Sequence, residues 1–149
     1  MNTTRFQPSR RTLAARILPA MALLALPAAG SAATYTWSGL LTGTLNWNAI
    51  GNWGGVAFPN AIDDIANLTA DFTGATTVNL NADTIVGTLS LDDTGASGDS
   101  VITIAAGSPA GKLIFDAGSG SASLTSAGAT NVISAGIQLN DSLECHDDQ

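Results

Sequence analysis

Cysteine and histidine are almost missing: Cys145 and His146 are each the only residue of their kind, and they stand side by side near the end of the chain. A zinc site needs about four ligands at suitable spacing, and a Cys–His nucleophile needs a pair brought together by the fold, so neither chemistry has its residues. A single cysteine also excludes a disulfide within one chain. In an exported protein an odd thiol points to pairing between chains or to a free reactive group. Positive charge is equally scarce. Four of the five basic residues, Arg5, Arg10, Arg11 and Arg16, sit at the front of the chain, and the only other is Lys112, against twelve acidic residues that all lie beyond position 62. Nucleic-acid binding needs clustered Lys and Arg, and an anionic lipid surface would repel such a chain. Serine is plentiful, but with no internal histidine and one lysine a hydroxyl nucleophile has almost no base. Aromatic residues make up only 5% of the sequence, which with high Gly, Ala, Ser and Thr predicts a thin core.

What is present begins with a leader. The four arginines precede an apolar run over 17–29, which ends in Gly30-Ser31-Ala32-Ala33. This is the pattern of a secretory signal peptide, residues 1–33. The run is broken by Pro19 and Pro27 and falls short of the roughly 18 to 20 residues of a stable membrane span, so no permanent membrane insertion is expected. Small residues at Gly30 and Ala32, or at Ser31 and Ala33, fit the cleavage pattern, placing the mature start near Ala33 or Thr34. Ser9-Arg10-Arg11-Thr12-Leu13 also resembles a twin-arginine export signal, with an ordinary basic segment as the alternative. The expected location is outside the cell, at the cell surface or associated with the outer membrane.

Beyond the leader, residues 76–140 hold short apolar runs at 77–80, 84–91, 101–104, 112–115, 121–125 and 131–134. Segments rich in Gly, Ser, Asp and Ala separate them, such as Asp116-Ala117-Gly118-Ser119-Gly120, and supply turns. Run centres fall roughly ten to twelve residues apart, the spacing of an all-β sandwich, barrel or solenoid. Alternation in these runs puts Val78, Leu80, Leu89 and Leu91 on one face as the expected core. The segment 62–72 fits either a strand pair or a short helix, its helical period weakened by Asn67, Thr69 and Gly74.

The residues from Asn81 to Gly98, followed by Leu113-Ile114-Phe115-Asp116-Ala117-Gly118-Ser119-Gly120, resemble the opening coils of bacterial proteins with autotransporter-associated β-strand repeats. Thr36-Trp37-Ser38-Gly39, Asn52-Trp53 and Pro59-Asn60-Ala61-Ile62-Asp63-Asp64 are similar to the Trp-rich block with which those proteins begin. The resemblance spans most of residues 34–140 and implies a right-handed parallel β-helix exported to the cell surface or beyond. The regular Gly-Thr-Leu repeats and the translocating barrel typical of that family do not occur here, so the chain is expected to be a fragment or a truncated member. On this reading 34–75 is an N-terminal cap with the first strands, 76–140 the β-helix coils and 141–149 a disordered or truncated tail. The alternative fold is an antiparallel β-sandwich, against which stands the lack of two-residue Asn-Gly or Asp-Gly hairpin turns.

Two functional clusters remain. Trp37, Trp47 and Trp53, with Tyr35 and Phe58, are expected to cover the open end of a solenoid; the other reading has the three indoles stacking on sugar rings of an extracellular glycan. Asp63-Asp64, Asp92-Asp93, Asp99 and Asp116 are the only candidates for acid–base work. Neighbours on a strand point to opposite faces, and a glycosidase pair must stand about 5 to 10 Å apart, so these residues read instead as Asx-turns at strand ends. Asp92, Asp93 and Asp99 around one Gly-rich loop make at best a weak calcium site, because neither EF-hand nor β-roll spacing occurs. Asn67-Leu68-Thr69 and Asn140-Asp141-Ser142 match the glycosylation sequon and are read as accidental. No catalytic, cofactor or metal-binding residue is assigned. The expected function is a non-enzymatic structural or adhesive surface segment, whose partner is an extracellular glycan or the cell-surface matrix; the alternatives are a carbohydrate-binding module and a polysaccharide-degrading enzyme.

Overall fold

A computed structural model describes Met1 and residues 32–95, 100–128 and 130–148. Residues 2–31 of the leader, 96–99 with Asp99, 129 and 149 lie outside the described residues. The protein is all-β. Its strands are β1 (Thr34–Thr36), β2 (Gly43–Asn46), β3 (Ile65–Ala70), β4 (Thr76–Leu80), β5 (Thr84–Val86) and β6 (Thr88–Asp93). They continue as β7 (Val101–Ala106), β8 (Lys112–Phe115), β9 (Ala122–Ala127), β10 (Thr130–Ile133), β11 (Gly136–Leu139) and β12 (Leu143–Asp148). One 3₁₀ turn, Ile50–Trp53, interrupts them.

Three sheets form, in the orders β1-β3-β6-β9-β12, β10-β7-β4-β2 and β11-β8-β5. Every strand pairing among the described residues is parallel. The antiparallel sandwich is therefore excluded: from β3 onward the chain visits the three sheets in turn, so a strand pairs with its counterpart one circuit later and not with its sequence neighbour.

The register turns the period-two pattern into columns of like side chains. Ala66, Leu89 and Leu124 face one another across β3, β6 and β9. Leu45, Val78, Ile104 and Ile133 do so across β2, β4, β7 and β10. Val78, Leu80, Leu89 and Leu91 are all buried, as the alternation requires. Full burial of such a side chain is worth about 1.5–3 kcal/mol, so a narrow interior still gains substantially when each circuit adds a row. The segment 62–72 resolves as strand β3, because pairing to β1 and β6 on both edges outweighs its partial helical period.

Two features depart from the sequence reading. The run 84–91 is not one strand but two, β5 and β6, in different sheets. Gly87 is the corner: a Cβ there would stand 2.7 Å from the Cα of Asp63, so only glycine lets the backbones meet. Residues 143–148, where a structureless tail is expected, form β12 along the whole of β9. The exposed edge of β9 offers backbone donors and acceptors to any extended segment, and Leu143 packs against the core. Backbone pairing is indifferent to composition, which is why Glu144-Cys145-His146-Asp147 carries no strand signal of its own.

Candidate functional site

The three tryptophans converge at the N-terminal end of the stack. Trp37 follows β1 and its backbone N–H donates to the Asn67 carbonyl at 2.8 Å, while Trp47 follows β2 and donates to the Asn79 carbonyl at 2.9 Å. Trp53 closes the 3₁₀ turn, which Gly54 ends in the left-handed region at φ 85°. Strand ends and turn thus deliver the indoles to one place. Trp53 meets Trp37 edge-on at 5.1 Å between ring centroids and 89° between planes, and meets Trp47 at 4.8 Å and 57°. Both lie in the favourable range for aromatic pairs.

Each indole N–H is also committed. Trp47 Nε1 donates to the Pro59 carbonyl at 2.8 Å, Trp53 Nε1 to the Trp47 carbonyl at 2.7 Å, and Trp37 Nε1 to the Leu40 carbonyl at 3.3 Å. Exposures are 4%, 1% and 4% for Trp37, Trp47 and Trp53. A sugar stacks on an open aromatic face, and none is left. The three indoles named for glycan stacking are thus packed in this structure, where a chain with few large side chains spends its tryptophans.

The aspartates act as clips between successive circuits. Asp64, buried, accepts from the Ala33 N–H at 3.2 Å and from the Asn60 N–H at 3.0 Å. Asp93, also buried, accepts through Oδ1 from Phe72 N–H at 3.0 Å and Gly95 N–H at 3.1 Å. Asp116 takes the Gly118 N–H and the Asn140 side-chain amide, and Asp141 takes the Ala117 N–H at 2.9 Å. Asp92 and Asp93 fall on opposite faces of β6, half-buried and buried respectively, so they do not form a pair. Asp93 Oδ2 and Asn131 Oδ1 are buried without a partner among the described residues.

Sequence reasoning overlooked the asparagines that do the same work. Asn60 Oδ1 accepts from Ile85 N–H, Asn81 Oδ1 from Ser108 N–H, and Asn131 Nδ2 donates to Leu91 O, Ser126 Oγ and Ala127 O. The one signal is position: Asn81 and Asn131 stand at or beside a strand end, and Asn60 lies in the loop before β3. Among the described residues the lysine and the histidine are peripheral. Lys112 Nζ lies 3.6 Å from Asp83 at an exposed site, His146 Nε2 lies 4.0 Å from Glu144, and Cys145 is free and exposed opposite Leu124. Among the described residues no three of His, Cys, Asp and Glu are grouped to hold a metal ion, and no helix is long and apolar enough to cross a membrane.

What does extend across the molecule is the outward side of the sheets. Thr36, Asn67, Ser90, Thr125 and His146 form one ladder across five strands, and Thr34, Ile65, Thr88, Ser123 and Glu144 a second beside it. Thr44, Thr77, Thr103 and Val132 make a third on the neighbouring sheet. Compared with protein-family models, curated proteins and solved structures, the chain gives no match.

Proposed function

We propose that this is an exported, non-enzymatic structural or adhesive segment, built as a right-handed parallel β-helix and displayed at or beyond the cell surface. The observation that carries the reading is the pair of outward ladders of mostly small polar side chains running across β1, β3, β6, β9 and β12. Such a surface grows by repetition, is held in register by parallel pairing, and suits contact with an extended partner such as a glycan or the cell-surface matrix. Circulation through three parallel sheets supports the β-helix, and the right hand follows from the strong preference of parallel crossovers. The carboxylates support a non-enzymatic role because their hydrogen bonds go to backbone amides at circuit ends. Resemblance of the strand and Trp-block residues to autotransporter-associated repeat proteins points the same way, as does the leader for export.

The test is to couple the purified mature chain to beads and incubate them with a panel of polysaccharides and matrix surfaces, following retention, Trp fluorescence and reducing ends. Retention without new reducing ends is expected, lowered severalfold by the joint change Asn67→Glu, Ser90→Glu and Thr125→Glu with the thermal midpoint kept. New reducing ends would sink the non-enzymatic reading. Saturable Trp quenching on sugar addition would move the function to a glycan-binding module.

A further inference from the structure

Asp64 is a buried acidic side chain directly before β3. Its carboxylate is buried at 3% exposure and, among the described residues, accepts two backbone N–H groups, from Ala33 and Asn60. Among the described residues no Lys, Arg or His forms an ion pair with it; Lys112 is engaged with Asp83 and His146 with Glu144. A buried carboxylate is costly unless a positive charge or a full set of donors meets it. The atom facing Oδ1 at 3.2 Å is the backbone nitrogen of Ala33, at one of the two bonds where the leader's small residues allow a cut.

We propose that the leader is removed between Ala32 and Ala33, and that the α-ammonium so released is the counter-ion of Asp64, making processing the step that completes the first turn of the fold. The proposal rests on the export reading above. In the step, a signal peptidase hydrolyses the Ala32–Ala33 peptide bond: one water is consumed, Ala32 leaves with a carboxylate, and the Ala33 nitrogen takes up protons to become an ammonium. The neutral N–H donor of the precursor is thereby replaced, at the same position, by a charged donor of the kind that makes stronger hydrogen bonds to a carboxylate.

Sequence alone leaves two cuts open, since Gly30 with Ala32 and Ser31 with Ala33 both satisfy the small-residue rule. The structure separates them. A start at Thr34 would remove the Ala33 nitrogen from Asp64 and also the Ala33 carbonyl, which accepts the Ile65 N–H at 2.8 Å and begins the pairing of β1 with β3. A start at Ala33 keeps both contacts and adds the charge.

Two measurements test this. The protein recovered after export from a bacterial host is sequenced from its N-terminus; Ala33 as first residue is expected, and Thr34 or Ala32 would overturn the processing claim. Separately, chains released from a cleavable fusion to start at Ala32, Ala33 or Thr34 are melted, together with the Ala33 chain acetylated at its amine. The Ala33 start should melt about 2–8 °C above its acetylated form and above the Ala32 start, which keeps the amide hydrogen bond but moves the charge away. The Thr34 start should be lowest. Asp64→Asn should erase the difference between free and acetylated Ala33 chains. If that variant fails to fold, the acetylation pair in the unchanged background decides alone. Equal midpoints for free and acetylated chains, or a difference that survives Asp64→Asn, would refute the ion pair whatever the export result. An intact leader with the ion pair confirmed would place the failure in the export reading instead.

Discussion

Trp47 is the least exposed of the three indoles, and it joins the cluster twice, through its ring contact with Trp53 and through the Trp53 N–H that its own carbonyl accepts. Trp47→Ala is expected to cost about 3–5 kcal/mol, the range for removing a buried large aromatic side chain, and urea unfolding followed by circular dichroism would measure it. Had the residue served sugar stacking, the same change would leave stability nearly unaltered. At Gly111 the constraint is backbone against backbone: a Cβ there would fall 2.0 Å from the Ala82 carbonyl oxygen, and the Gly111 N–H donates to Leu80 O at 2.8 Å. Gly111→Ala should therefore lower the thermal midpoint, whereas Gly51→Ala, with open space around it, should not by that mechanism. Neither glycine stands out from its neighbours in the sequence, because close approach is a property of the circuit beneath and not of the local turn.

Among the elements, β6 and β12 differ most in what surrounds them. The first is paired on both edges, with Leu89, Leu91 and Asp93 buried; the second is paired only to β9, and Glu144, Cys145, His146 and Asp147 are exposed. Native-state hydrogen exchange should show the amides of β6 opening only with global unfolding and those of β12 much sooner, since opening free energies track local burial. Similar protection in both would mean that β12 is held by something beyond its edge pairing. Deleting residues 141–149 should likewise leave the β-sheet circular dichroism in place with a lower midpoint. Leu89→Asp should abolish folding, because the inserted carboxylate would sit between Ala66 and Leu124 with no partner. The strands β4, β7, β8, β9 and β10 were legible from alternation and turn residues, whereas β2 was not. The division of 84–91 into two was not, since a corner glycine and a strand glycine read alike until the backbone they approach is known.

For the molecule as a whole, the two ends are unlike. Tryptophans and the loop after β2 close the N-terminal end, while β10, β11 and β12 are the last strands of their sheets among the described residues and leave Ile137 and Leu139 about half exposed at 49% and 54%. Unpaired strand edges beside apolar side chains favour association, so the mature chain should self-associate with rising concentration. The double change Ile137→Lys and Leu139→Lys should reduce this in sedimentation velocity, and no change would locate the association elsewhere. By itself the sequence determined the β class, the buried column residues and the scarcity of cationic and nucleophilic groups, because period-two alternation and residue counts need no partner to be read. It also placed the aspartates at strand ends. Only the tertiary structure decided that every pairing is parallel, that the indoles face inward, and that the nitrogen of Ala33 meets Asp64. Those facts depend on which circuit lies over which, and the registers join residues 21 to 35 positions apart along the chain, as in Leu124 with Cys145 and Leu89 with Leu124. No local pattern records such a distance.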